Sequence, residues 1–156
     1  MAAGKSKIGR ALSDRLAMPF VDTDAQIEAA ERMTIADIFA VDGEAAFREA
    51  EREAIARQFA GEAKVMALGG GAFVDPENRA RLNAACCTVW LDPPFDVLLS
   101  RLRRSTRRPL ATARSESELR ALWESRRSSY AEAQLRVATG DDDPQRYVDA
   151  IIAKLD

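Results

Sequence analysis

The side chains with the greatest chemical capacity in this sequence are gathered in short runs. Ala3-Gly4-Lys5-Ser6 lies at the chain's start, Asp22-Thr23-Asp24 follows an apolar run, Gly69-Gly70-Gly71 closes another, and Arg101, Arg103, Arg104, Arg107 and Arg108 crowd one polar stretch. Histidine is absent, which removes Ser-His-Asp and Cys-His nucleophile arrangements and histidine metal sites. Chemistry falls to Asp, Glu, Lys, Arg, Ser and the backbone.

AGKS at residues 3–6 is the tail of the phosphate-loop pattern GxxxxGK[ST], in which backbone amides and a helix N-terminus cradle phosphates. In that pattern Lys5 reaches the β- and γ-phosphates and Ser6 ligates Mg2+. Gly-Lys-Ser also occurs in plain surface turns, and its place at the head of a helical pattern favours the phosphate reading. Asp22 and Asp24 stand at the C-terminal end of a strand, where open α/β sheets put their ligands. An N-cap explains one aspartate. Two of them flanking a threonine beside a phosphate loop point to a Mg2+-linked carboxylate and a hydroxyl-orienting base.

Arg48 and Glu51 are one helical turn apart and, by spacing alone, form an ordinary i,i+3 surface pair. Three consecutive glycines exceed the needs of a tight turn and favour close approach of backbone to a ligand. The arginines of residues 101–108 suit a solvated face, a nucleic-acid patch or a phosphate-closing lid, and the loop context favours the lid. Arg126 and Arg127 sit among many charges, which predicts solvent exposure.

The elements that position these groups alternate. Ile8, Ala11, Leu12 and Leu16 recur at helical spacing from Ser6 to Leu16, and PFVD then reads as a strand. Residues 24–60 stay helical in two or three pieces, with Thr34 and Asp37 as a capping-box variant and Gly43 as a break. KVMAL at 64–68 is a buried strand; Pro76 opens a helix to Leu82; CTVWL at 87–91 is a strand stopped by Asp92-Pro93-Pro94. Helices follow from Phe95 to Arg103 and from Glu116 to Gln134, then a strand at 135–139 and a last helix through Leu155. Such alternation predicts an α/β architecture with a parallel sheet and right-handed crossovers, with four strands visible.

At 156 residues, 47% hydrophobic and 31% charged, the sequence predicts one domain spanning residues 1–156, neither disordered nor membrane-embedded. No membrane span or signal peptide is legible, so a cytoplasmic location is expected. The net charge of −2 gives no case for nucleic-acid binding. Cys86 and Cys87 are expected on opposite faces of a strand as two buried thiols.

Taken in order, AGKS, PFVDTD, IADIF, GEAAFREAE, LGGGA, VWLD and RRPL resemble shikimate kinase along nearly the whole chain. The resemblance implies a small P-loop kinase with a five-stranded parallel sheet in the order 2-3-1-4-5, a helical substrate-binding region (about 24–60) and a lid (about 103–115). It implies that Ala2, Ala3, Gly4, Lys5, Ser6 and Lys7 form the ATP-binding loop, with Ser6 and, through water, Asp22 on Mg2+. Asp24 would orient or deprotonate the attacking hydroxyl. Arg48 and Arg126 would grip the shikimate carboxylate, Gly70 and Gly71 would present backbone donors, and Glu51 would support that pocket. Arg108 would reach the nucleotide phosphates and Arg101 would pack against adenine.

The implied reaction is transfer of the ATP γ-phosphoryl group to the 3-hydroxyl of shikimate, with ATP, shikimate and Mg2+ as the small-molecule partners and a monomer as the expected state. The pattern departs from the family at Ala2, where glycine is usual, at Lys7, where threonine or serine is usual, and at Ser128-Ser129, where Pro-Leu precedes the tyrosine. The two serines are expected to loosen the placement of Arg126. The first loop glycine would precede Met1, and the family's first, central strand is not in the sequence. A central strand buries several side chains at roughly 1.5–3 kcal/mol each, against ~5–15 kcal/mol for a whole domain. The expectation is therefore an upstream start, or an unstable and nearly inactive form. A gluconate-kinase-like relative and a catalytically silent P-loop protein are the alternatives.

Overall fold

The computed structural model describes residues 2–104, 114–140 and 143–155. Helix α1, Lys5–Leu16, starts behind Gly4 at φ +86° and ends on Ala17 at φ +51°, burying Ile8 and Leu12 on one face. Strand β1, Phe20–Asp22, leads into α2, Thr23–Glu31, α3, Ile35–Val41, and α4, Gly43–Gln58. Thr34 Oγ1 accepts from the Asp37 amide at 3.2 Å and donates to its carboxylate at 2.6 Å, so the capping variant starts α3. These three helices share a core of Ile27, Ile38, Phe47 and Ala54.

Strand β2, Val65–Ala67, precedes the glycine turn and α5, Pro76–Ala85. Asp75 caps α5 through the amides of Glu77 and Asn78 at 2.9 and 3.0 Å. Then come β3, Val89–Asp92, α6, Phe95–Arg104, α7, Glu116–Tyr130, β4, Leu135–Ala138, and α8, Pro144–Leu155. Ser115 and Glu118 close a reciprocal capping box at the head of α7.

All four predicted strands are present, but they form two separate parallel pairs among the described residues, not one sheet. Phe20 faces Val65 and Asp22 faces Ala67 in the first pair; Val89 faces Leu135 and Asp92 faces Ala138 in the second. These pairs correspond to the neighbours 2-3 and 4-5 in the order that the resemblance implies. One apolar cluster touches both. Ile8 and Leu12 of α1 and Val148 and Ile151 of α8 pack with Val137, and Val65, Val89 and Leu91 lie against them.

Two boundaries differ from the sequence expectation. β3 begins at Val89, because Cys86 ends α5 with its amide bonded to the Leu82 carbonyl at 2.8 Å. The cysteines therefore precede the strand: Cys86 is half-buried and Cys87 is exposed, which corrects the reading of two buried thiols. Helix α7 stops at Tyr130, four residues before Gln134. Among the described residues no helix is long and apolar enough to cross a membrane.

Candidate active site

The phosphate-loop end is built on α1. With Gly4 in the left-handed region and no side-chain cap, the N-terminus of a twelve-residue helix opens at this loop, an arrangement suited to anions. Ala2 takes φ +41°, a backbone conformation that favours glycine, so the alanine noted there as a departure sits in a strained conformation. Arg101 of α6 donates to the carbonyls of Ala2, at 3.2 Å, and of Gly140. It thus ties the loop to the segment following β4. Lys5 is partly buried, while Ser6 and Lys7 are exposed.

Asp22 does two jobs at once. Its Oδ1 accepts from the amides of Asp24 and Ala25 at 3.2 and 3.4 Å, capping α2, while Oδ2 accepts from Ser6 Oγ at 2.7 Å. Both the capping and the metal-linked readings of this aspartate are thus compatible with one side chain. Thr23 is fully buried, donating to the Ala67 carbonyl at 3.3 Å and accepting from the Gly69 amide at 3.2 Å. That hydroxyl locks the ends of β1 and β2 together, with Asp22 and Asp24 on either side.

Asp24 and Glu51 converge on the glycine turn. A Cβ placed on Gly69 would stand 2.5 Å from Asp24 Oδ1 and 2.9 Å from Glu51 Oε1, and one on Gly71 would overlap the Arg48 guanidinium. Glu51 is 1% exposed, pairs with Arg48 Nη1 at 2.7 Å through Oε2, and leaves Oε1 buried without a hydrogen-bond partner. Burial pushes its carboxyl pKa up; the Arg48 hydrogen bond and charge oppose this, and the Asp24 charge adds to it. The expectation of an ordinary surface pair is therefore corrected: the packing around the glycine turn buries Glu51 and leaves Arg48 half-buried.

Tyr130, the last residue of α7, donates to the Gly70 carbonyl. Burial raises its pKa, and the neighbouring Arg126 works in the opposite direction. Arg126 and Arg127 are half-buried instead of solvent-exposed. These contacts bring two carboxylates and two guanidiniums around a bare glycine turn. Such a set is chemically suited to an anionic, hydroxyl-bearing small molecule.

The family profile described as shikimate kinase matches residues 1–156. The shikimate kinase of Ruegeria pomeroyi is 45% identical over 157 residues, covering 99% of this chain and 80% of the relative. The chain belongs to the shikimate kinase family. The shikimate kinase of Caulobacter vibrioides is 43% identical over 156 residues, covering 99% of this chain and 78% of its own length. Among solved structures, the Acinetobacter baumannii shikimate kinase in complex with shikimate matches with a TM-score of 0.91 at 31% identity, over 99% of this chain and 88% of that one. The Aquifex aeolicus shikimate kinase matches at 0.85 and 34% identity, over 99% and 90%.

The structure brings several of the sequence-predicted residues together. Ser6 meets Asp22, Asp24 meets Glu51 at Gly69, Arg48 lies on Gly71, and Arg126 lies by the Tyr130 that holds Gly70. Ala2, Gly4 and Arg101 come together at the loop. Arg107 and Arg108, with lid residues 105–113, lie outside the described residues. Sequence reasoning gave no role to Thr23, Tyr130 or the Asp92–Arg127 pair, and singled out Gly69 only as part of the glycine run. The available signals were a threonine between two aspartates and a tyrosine four residues after Arg126, on the same helix face.

Proposed function

We propose that this shikimate kinase family protein transfers the γ-phosphoryl group of ATP to the 3-hydroxyl of shikimate, supplying chorismate and aromatic amino acid synthesis from the cytoplasm as a monomer. The observation that carries this reading is the convergence of Asp24 and Glu51 on Gly69, with Arg48 on Gly71, next to the Ser6–Asp22 contact. The α1 amides and Lys5 cradle the phosphates, and Arg101 frames the nucleotide side. Arg108, in the expected lid, would add charge at the phosphates; Ala3 and Lys7 complete the loop.

A hydroxyl and a carboxylate oxygen 2.7 Å apart are a fitting partial donor set for Mg2+, which keeps several waters and takes its other ligands from phosphates. Ser6 and, through water, Asp22 would hold it, and it would neutralise charge on the phosphate oxygens. Arg48 and Arg126 bind the substrate carboxylate, Glu51 holds Arg48 in place, and Gly70 and Gly71 offer backbone donors. Asp24 orients or deprotonates the hydroxyl. The oxygen–hydrogen bond breaks, an oxygen–phosphorus bond forms, and ADP leaves with the former bridging oxygen. Rate comes from positioning and fixed charge.

An ADP-release assay with ATP, Mg2+ and either shikimate or gluconate tests this. Release that depends on shikimate and not on gluconate is expected, and Asp24→Asn is expected to lower kcat by about 10²–10⁴-fold. Absence of shikimate-dependent release, or an unchanged rate in the variant, counts against the assignment.

A further inference from the structure

Arg127 is one residue from Arg126 and faces a different structure. Its Nη1 and Nη2 donate to Oδ1 and Oδ2 of Asp92 at 2.8 and 3.3 Å. The same guanidinium lies 4.9 Å from the Trp90 ring centroid and 4.6 Å from that of Trp123. Asp92, the last residue of β3, is 8% exposed and also accepts from Nε and Nη2 of Arg136 at 2.9 and 2.6 Å. Arg126, Arg127, Tyr130, Asp92, Trp90 and Trp123 line one small cavity.

We propose that the Asp92–Arg127 pair is a positioning device for substrate binding: it fixes the rotation of α7 about its own axis and so sets the direction of Arg126. The inference rests on the reading of Arg126 as a ligand of the shikimate carboxylate. Successive helical residues point about 100° apart, so pinning one fixes its neighbour. On a helix about 10–12 Å across, a 20° rotation moves a side-chain tip by about 2 Å, more than a bidentate hydrogen bond tolerates.

Tyr130 already anchors the end of α7 to Gly70; Arg127, three residues earlier, anchors it to β3. A single anchor permits rolling about the contact, and two do not. Helix α7 runs unbroken through Ser128 and Ser129, so the expected loosening of Arg126 by the serines is countered by this second anchor. A buried ion pair is a weak source of net stability and a demanding source of geometry. Arginine suits the task because one planar group forks onto a carboxylate and stacks on aromatic rings, which lysine cannot do.

The test is steady-state kinetics on the full chain, varying shikimate and ATP separately, for wild type, Arg127→Met, Arg127→Lys, Arg136→Met and Arg126→Met, with a melting curve for each. Arg127→Met is expected to raise the KM for shikimate about 10-fold with the KM for ATP within about twofold, and Arg127→Lys to recover part of that loss. Arg136→Met removes charge from the same carboxylate without touching α7, and should leave both KM values within about twofold. A folded Arg127→Met with wild-type KM for shikimate overturns the inference, as does an equal rise in both KM values. Should Arg127→Met fail to fold, Arg127→Lys decides: a rise of about threefold or more in the shikimate KM supports the inference, and a wild-type value overturns it. Arg126→Met separates the two readings. If it leaves shikimate binding intact, the carboxylate assignment fails; if it impairs binding while both Arg127 variants do not, only the positioning role fails.

Discussion

Glu51 brings a carboxylate into a setting where only one oxygen is paired. With Oε1 buried and unpartnered, its proton is held more tightly in the folded chain than in the unfolded one, where the ordinary value is about 4.3. A group raised on folding contributes its full stabilisation below the unfolded value and loses it as pH rises through the folded one. Wild type should therefore gain stability relative to Glu51→Gln as pH falls from neutral toward about 4.3, and thermal unfolding at several pH values measures that slope. Asp75 runs the other way: the Asn78 amide bond, outweighing burial, holds its carboxyl low. Its contribution is present above its unfolded value of about 3.9 and is lost below that, as pH falls through the folded value, so the two windows separate. A parallel pH dependence for wild type and Glu51→Gln would refute the argument.

Gly69 gives a second residue-scale expectation. A methyl group there meets Asp24 and Glu51 at 2.5 and 2.9 Å, and both of those are side-chain ends that can swing aside. The cost should appear in catalysis before it appears in folding. Gly69→Ala is expected to lower kcat/KM about 10- to 100-fold, since a displacement near 1 Å at a reacting group can cost that much. Kinetics together with a melting curve show whether activity falls while the fold survives.

At the scale of elements, Thr23 is where two strand ends are joined. Thr23→Val keeps the shape and deletes the hydroxyl, stranding the Ala67 carbonyl and the Gly69 amide at about 1–3 kcal/mol for each orphaned group. Urea unfolding should show a lower midpoint with the slope unchanged. This hydroxyl also marks what local pattern can and cannot convey. The period of Ile8, Leu12 and Leu16 and the apolar runs before Asp22 and Gly69 placed α1, β1 and β2 nearly to the residue, because burial on one face writes itself into sequence. The Arg48–Glu51 pair has the same spacing as any exposed pair, and only the approach of Gly71 from another element buries it. Asp92 read as a strand stop and Arg127 as a solvated charge; their pairing spans 35 residues, a distance over which periodicity carries no information. CTVWL looked continuous, yet Cys87 and Thr88 stay outside the strand, because α5 reaches Ala85 and its end satisfies the Cys86 amide.

For the whole molecule, the question is what makes two separate strand pairs behave as one body. The cluster around α1 and α8 is the physical answer, since Val148, fully buried, packs among Ile8, Leu12, Val137 and Ile151 with Val65 and Val89 against the same group. Val65 belongs to one pair and Val89 to the other, so a defect at Val148 weakens the contact between halves and not within either. Val148→Ala removes two methylene equivalents at about 0.8 kcal/mol each, plus a cavity contribution, for about 2–3 kcal/mol in all. That is a large share of the ~5–15 kcal/mol typical of a domain. If the cluster couples the pairs, unfolding in urea should stay a single transition with a lowered midpoint and the same slope by fluorescence and circular dichroism. Trp90 and Trp123 both report from the β3 and α7 side, whereas circular dichroism reports on every helix. A fluorescence midpoint that separates from the circular-dichroism midpoint already in wild type would show that the pairs unfold independently and that the cluster does not couple them. Shikimate adds a check, because a ligand present at 100 times its Kd stabilises the folded state by about 2.7 kcal/mol. In a coupled molecule both probes should shift together on its addition.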